Sequence, residues 1–135
     1  MTSARSAAPP ATHVLAVFVG GAAGTAVRAL VGVVAPPVDR VPVATIAINV
    51  LGAFALGALL ALLSRGGPDS GRRRTVRLLI GTGVLGGFTT FSSLAVDTAV
   101  LLDAHRTAEA LAYGLGSVLA GVLAATLGAR IGRRR

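Results

Sequence analysis

A chain of 135 residues has room for one domain. It is 53% apolar and only 13% charged, where a soluble domain carries about a quarter charged residues, so an ordinary water-soluble fold is excluded. The net charge of +8 comes from thirteen arginines and no lysine, and these sit on short links between apolar stretches, where a membrane protein carries its orientation signal, and do not read as a nucleic-acid footprint.

Met1–Ala11 is small and polar, carries Pro9-Pro10, and reads as a frayed end. The first apolar stretch runs from about Val14 to Val34 and is closed by Pro36-Pro37-Val38-Asp39-Arg40, because two prolines stop a helix and favour a turn. The second runs from about Val43 to Leu63. A polar loop, Ser64 to Gly71, follows and continues into Arg72-Arg73-Arg74. The third stretch covers about Leu78 to Leu102, the link Asp103-Ala104-His105-Arg106 follows, and the fourth covers about Ala108 to Ile131. Each has the roughly 20 to 25 residues that a helix needs to cross a hydrocarbon core. Lipid cannot bond an open backbone, so each stretch is expected to be helical. The sequence thus predicts an all-α integral membrane protein, a single membrane domain over 1–135 with spans at about 14–34, 43–63, 78–102 and 108–131. A signal-peptide reading of the first stretch is weaker, since only Arg5 precedes it and no clear cleavage site ends it.

By the positive-inside rule the N-terminus, the second link and the C-terminal tail share the cytoplasmic side. They hold Arg5, Arg65, Arg72, Arg73, Arg74, Arg77, Arg130, Arg133, Arg134 and Arg135, against Arg40 and Arg106 opposite. A multi-pass protein of the cell membrane with both termini in the cytoplasm is expected. Cysteine is absent, which removes disulfides, thiolate metal sites and a Cys nucleophile. The two histidines, His13 and His105, stand near membrane edges without a nucleophile–base set, so no enzyme is expected.

Several residues do not belong in a plain anchor. Gly20, Gly21 and Gly24, Gly52 and Gly57, and Gly114, Gly116 and Gly121 are expected to let helix backbones approach closely. Arg28 lies inside the first span, where a guanidinium must snorkel, pair or face a water-filled vestibule. Thr45, Asn49 and Gly52/Ala53 form one stripe on the second span. Asn49 either bonds a neighbouring helix or offers its amide N–H to a small anion. Residues 81–93, Gly81-Thr82-Gly83-Val84-Leu85-Gly86-Gly87-Phe88-Thr89-Thr90-Phe91-Ser92-Ser93, make a poor continuous helix. Halfway across a membrane such a run predicts either a flexible packing hinge or a broken helix whose freed groups hold ions. Asp97, two turns beyond Thr90, needs a polar partner. Tyr113 and Ser117, four apart, share a face with Gly121 and form a hydroxyl ladder or bond their own backbone.

Gly20-Gly21-Ala22-Ala23-Gly24-Thr25-Ala26-Val27-Arg28, the run Thr45 through Asn49 to Gly52, and above all Gly86-Gly87-Phe88-Thr89-Thr90-Phe91-Ser92 resemble the Fluc (CrcB-type) fluoride channel family. The resemblance covers about Val14 to Arg130. It implies an antiparallel dimer of four-helix subunits enclosing two narrow fluoride pores, with a third helix broken near mid-membrane. It implies a structural Na⁺ on the backbone carbonyls of Gly86 and Thr89. It also implies an ion pathway in which Phe91 presents its ring edge to fluoride and Asn49 donates to it. Thr45, Ser93, Tyr113 and Ser117 match the family's polar track, and Arg28 matches its vestibule position.

Two positions depart from the family pattern. Leu94 stands where a second Phe is usual, and Asp97 stands where the acid is usually Glu. The ten-against-two arginine bias also argues that the chain inserts one way and pairs with a homologous subunit of opposite orientation. The expected function is passive, fluoride-selective export from the cytoplasm. Two other readings are a small proton-coupled exporter, disfavoured because the first span lacks a carboxylate, and a non-conducting assembly subunit.

Overall fold

The structure is a computed structural model that describes residues 10–35 and 42–134. Most of the frayed N-terminal end, the Pro36–Arg40 turn, Arg5, Arg40 and Arg135 lie outside the described residues. Within them the chain is all-helical, with four helical stretches long and apolar enough to span a membrane: Ala11–Val34, Val43–Ser64, Gly71–Asp103 and Thr107–Arg134.

Helix α1 (Ala11–Val34) follows Pro10, whose carbonyl accepts from the N–H groups of His13 and Val14. Helix α2 (Val43–Ser64) follows Pro42 in the same way, with Thr45 N–H on the Pro42 carbonyl. The third span begins with α3 (Gly71–Val76). The arginine triplet expected in a loop is therefore wound into helix, seven residues ahead of Leu78. Apolar burial is not needed there, since arginines are good helix formers. The span continues as a π-helical segment (Arg77–Leu85) and a short turn, α4 (Gly86–Phe88). Thr89 and Thr90 are extended, and α5 (Phe91–Asp103) follows. A Gly-rich run with little helix propensity of its own leaves the winding to its neighbours.

Helix α5 ends in a tight hairpin. Arg106 N–H reaches the Leu101 carbonyl, His105 N–H reaches that of Leu102, and His105 takes the left-handed conformation (φ 58°) that glycine usually fills. Helix α6 (Thr107–Arg134) completes the chain.

Two glycine seams set the packing. Along α1 and the third span, which run parallel, a Cβ on Gly20 would stand 2.2 Å from the Leu79 carbonyl oxygen. On Gly24 it would stand 2.0 Å from that of Val84, and on Gly87 2.4 Å from that of Gly21. The second seam joins α2 and α6, also parallel, where a Cβ on Gly57 would meet the Ala125 carbonyl and one on Gly128 that of Phe54. Gly21, Gly116 and Gly121 face open space, and Gly114 makes only ordinary contact with Thr98. The fourth span thus approaches α2 through Gly128 and Gly132, one turn apart, and not through the glycines nearer its start. Only a residue on the facing stripe gains from lacking a side chain.

The third span changes neighbours at Thr89–Thr90. Its first half packs on α1, and α5 packs on α6. A small cluster of Leu94, Leu101, Ala110 and Tyr113, with Ile46 against it, fills the α5–α6 corner. Outward-facing Phe18, Val33 and Leu123 are more than three-fifths exposed; such side chains suit a lipid solvent.

Candidate functional site

Asn49, Thr89, Thr90, Ser92 and Ser93 gather where α2 crosses the Thr89–Thr90 interruption. Asn49 sits there because it shares a helix face with Gly52. The missing side chain at Gly52 lets Thr89 lie against α2, since a Cβ at Gly52 would stand 2.2 Å from Thr89 Cγ2. Asn49 Nδ2 donates to the Thr90 carbonyl at 2.9 Å, and Thr90 N–H donates to Asn49 Oδ1 at 2.8 Å. One side chain thus replaces both bonds that Thr90 would make in a continuous helix. One amide hydrogen of Asn49 is left for another acceptor.

Thr90 also caps α5. Its Oγ1 accepts from Ser93 N–H at 3.1 Å and donates to Ser93 Oγ at 3.0 Å; its hydroxyl lies 3.2 Å from Ser92 Oγ. In an unbroken helix Thr90 N–H would close on the Gly86 carbonyl and Ser93 N–H on that of Thr89. Both donors are engaged elsewhere, by Asn49 and by Thr90 Oγ1. The carbonyls of Gly86 and Thr89 therefore lose their helical partners. Uncharged carbonyl oxygens are hard donors suited to a hard cation. Two from one chain do not fill a coordination shell.

Of the two carbonyls between them, that of Gly87 has a different fate. Gly87 O accepts from Arg28 Nε at 3.1 Å and from Thr25 Oγ1 at 3.4 Å. Arg28 is half-buried and pairs with backbone; it neither snorkels freely nor stands alone. Its positive charge lies at the C-terminal end of the helical run closing at Phe88, where a cation is favoured. Across the gap, the N-terminus of α5 presents the partial positive end of its dipole. The break therefore offers carbonyl oxygens on one side and N–H groups on the other.

A cleft of about 510 Å³ opens beside the break, with Asn49, Gly86, Thr89, Thr90, Phe91 and Ser117 in its wall. Phe91 is 76% exposed and also borders a second, apolar cleft of about 390 Å³. Leu94 is 6% exposed and packs with Leu101, Ala110 and Tyr113. It fills the α5–α6 corner.

Further along α5, Asp97 Oδ2 accepts from Tyr113 Oη at 2.9 Å and from Thr45 Oγ1 at 3.2 Å. These are the polar partners an acid at this depth requires. Ser117 Oγ donates to the Tyr113 carbonyl one turn back at 2.5 Å, so its hydroxyl hydrogen is spent on its own helix although the residue borders the cleft.

The hydrogen bonds form two groups, Asn49–Thr90–Ser93 at the break and Thr45–Asp97–Tyr113–Ser117 further along α5 and α6, with Phe91 beside the first. Arg28 bonds the Gly87 carbonyl and is linked to neither group. Sequence reasoning missed Thr90, the residue that both Asn49 and Ser93 address, and Thr25, which shares the Gly87 carbonyl with Arg28. A signal for the first existed: a threonine three residues before Ser93, opening an apolar run, is an N-cap pattern. Among the described residues no group of three His, Asp or Glu side chains could hold a metal.

Residues 15–129 match the family model described as CrcB-like protein, Camphor Resistance (CrcB). A protein of Leifsonia xyli named Fluoride-specific ion channel FluC 2 is 52% identical over 119 residues, 86% of this chain and 82% of the relative. Fluoride-specific ion channel FluC 1 of Cutibacterium acnes is 49% identical over 105 residues, 77% and 73% of the two chains. Fluoride-specific ion channel FluC of Mesorhizobium japonicum is 39% identical over 109 residues, 79% and 85%. These relatives are named as channels and not as enzymes. With a match that spans all four helical stretches, the chain belongs to the CrcB-like family.

Proposed function

We propose that the chain is a subunit of a passive fluoride-selective channel that lets cytoplasmic fluoride leave the cell down its gradient. The observation that carries this is the double hydrogen bond between Asn49 and Thr90, which holds a helix open beside a cleft walled by Phe91. Fluoride is small and holds water strongly, so a pore must replace that water with donors and electropositive ring edges. The remaining Asn49 N–H, the Phe91 ring edge and the Ser93 hydroxyl are groups of that kind, and the hydroxyls of Thr45, Tyr113 and Ser117 join them by turning from the Asp97 carboxylate and the Tyr113 carbonyl. Arg28 adds a fixed positive charge near the break. The names carried by relatives at 39–52% identity support the same ion.

A structural Na⁺ fits the donor set in kind, because the carbonyls of Gly86 and Thr89 are among those deprived of helical partners. When bound, it would satisfy those oxygens and lock the break. One chain supplies too few oxygens, which favours a second subunit contributing the rest. We take that subunit to be a homologue of opposite orientation in an antiparallel dimer. Among the described residues, Arg65, Arg72–Arg74, Arg77, Arg130, Arg133 and Arg134 gather at one end of the bundle, and only Arg106 stands at the other. A chain so biased inserts one way, with its termini in the cytoplasm of a plasma-membrane protein. Leu94, buried and without a positive ring edge, favours a partner that brings an intact second Phe. It is also what a non-conducting assembly subunit would show.

Fluoride efflux from liposomes, read with an electrode, tests both parts. The expected result is no channel-rate efflux from this chain alone and fast, chloride-excluding efflux when it is reconstituted with an inverted homologue. Robust efflux from the chain alone overturns the mixed dimer. Absence of efflux with every inverted homologue that inserts overturns conduction and leaves the assembly role.

A further inference from the structure

The arginines at the start of the third span have separate destinations. Arg77 pairs with Asp69, through Nε at 2.9 Å and a terminal nitrogen at 2.6 Å. Arg73 folds back over the second link, where its guanidinium lies against Gly66 and Gly67. Arg74 has no ion-pair partner among the described residues. It stands at the rim of a groove of about 480 Å³ between the first turns of α1 and of the third span. His13 lines the groove too, and its Nδ1 is shielded from solvent without a hydrogen-bond partner. Below these two polar residues the wall is apolar: Val14, Val17, Phe18 and Leu78, with Phe18 73% exposed.

We propose that this groove is a site for one anionic phospholipid, its phosphate on Arg74 and His13 and an acyl chain along Val14, Val17, Phe18 and Leu78. Three observations converge. The groove flanks two membrane-spanning helices, so its surroundings are lipid. Its polar end lies at the arginine-rich end of the bundle, while the nearby carboxylate, Asp69, is already committed to Arg77. His13 at that end has an enclosed Nδ1 without a partner, and a turn of its side chain brings a ring N–H to a phosphate oxygen in the groove. A cationic rim over an apolar trough matches a phosphate head on a hydrocarbon tail, and basic pockets between spanning helices take such headgroups. The proposal is independent of fluoride conduction.

The test uses the full-length protein in detergent, incubated with phosphatidylglycerol or with phosphatidylcholine of the same acyl chains, and counts retained lipid by native mass spectrometry. Phosphatidylglycerol is expected to be retained preferentially, one per chain. Arg74→Gln is expected to weaken retention about fivefold, whereas Arg133→Gln with Arg134→Gln, a larger charge loss at the same end, leaves it within about twofold. Val17→Trp, which keeps every charge and fills the trough, is expected to abolish it. Arg74 is exposed and Val17 is half-buried in the groove wall, and circular dichroism checks that each variant keeps its helices. Equal retention of the two lipids overturns the proposal. So does an equal loss in the C-terminal double variant, which makes the attraction diffuse. Competition by inorganic phosphate as effective as by phosphatidylglycerol makes it an anion site without a tail. Cysteine crosslinking between two copies at position 18, with no lipid retained, gives the groove to a second copy.

Discussion

Gly24→Ala adds one methyl group, and its consequence can be worked from two distances. The new Cβ would stand 2.0 Å from the Val84 carbonyl oxygen and 2.9 Å from Phe88 N. Ordinary carbon–oxygen contact is about 3.3–3.6 Å, so α1 and the third span must part locally by about 1 Å or more. Both obstacles are backbone, so no rotamer change relieves them. Overpacking of this kind costs about 3 kcal/mol. The same parting stretches the Arg28 Nε–Gly87 O bond, now 3.1 Å, beyond hydrogen-bond reach. Gly21→Ala is the matched control, since a Cβ there meets nothing within 4 Å; its expected change is within about 0.5 kcal/mol. Reversible unfolding in mixed micelles, followed by circular dichroism, measures both. If the two variants fall within about 0.5 kcal/mol of each other, the seam is not where α1 is held and the packing argument fails.

Asn49→Leu removes both bonds to Thr90 while nearly keeping volume. The expected loss is about 2–3 kcal/mol, with amide exchange at Thr90 accelerated tenfold or more on the order expected from that loss; unchanged exchange would mean that something else pins the break. His105→Gly should raise stability by about 1 kcal/mol, because a left-handed residue with a Cβ is strained and the hairpin bonds of His105 and Arg106 use backbone alone; a lower melting temperature would reveal a contact made by the imidazole. Asp69→Asn tests the second link. The Arg77 hydrogen bond holds the Asp69 carboxyl below its ordinary value of 3.8. A depressed folded value means the stabilisation is complete above the unfolded value and is lost as pH falls through the folded one. The variant should therefore be less stable than the parent at neutral pH, with the gap closing in acid; a gap independent of pH would assign the effect to something other than ionisation.

What the sequence alone determined follows from one-dimensional constraints. Twenty apolar residues between prolines or arginines must be a spanning helix, because lipid satisfies no backbone. The clustered arginines give it an expected orientation by the positive-inside rule. Residues 81–93 announced a weak helix through their glycines and threonines, and the stripe Thr45–Asn49–Gly52 was legible from a period of 3.6. Only the tertiary structure decided which partners those groups take. Asn49 could have bonded any neighbour, and it is the antiparallel passage of α2 past Thr90 that gives it two backbone groups at once. Arg28 reads as a lone charge until the α1 seam brings it to the Gly87 carbonyl, and Asp97 has no partner until α2 and α6 bring Thr45 and Tyr113 to it. The glycines show the same limit. Gly116 and Gly128 look alike in sequence, yet only Gly128 faces a backbone, because which stripe of α6 meets α2 is fixed by the other helix. Hydrophobicity acts residue by residue and is written along the chain; hydrogen bonds and close approach need two partners, often fifty residues apart.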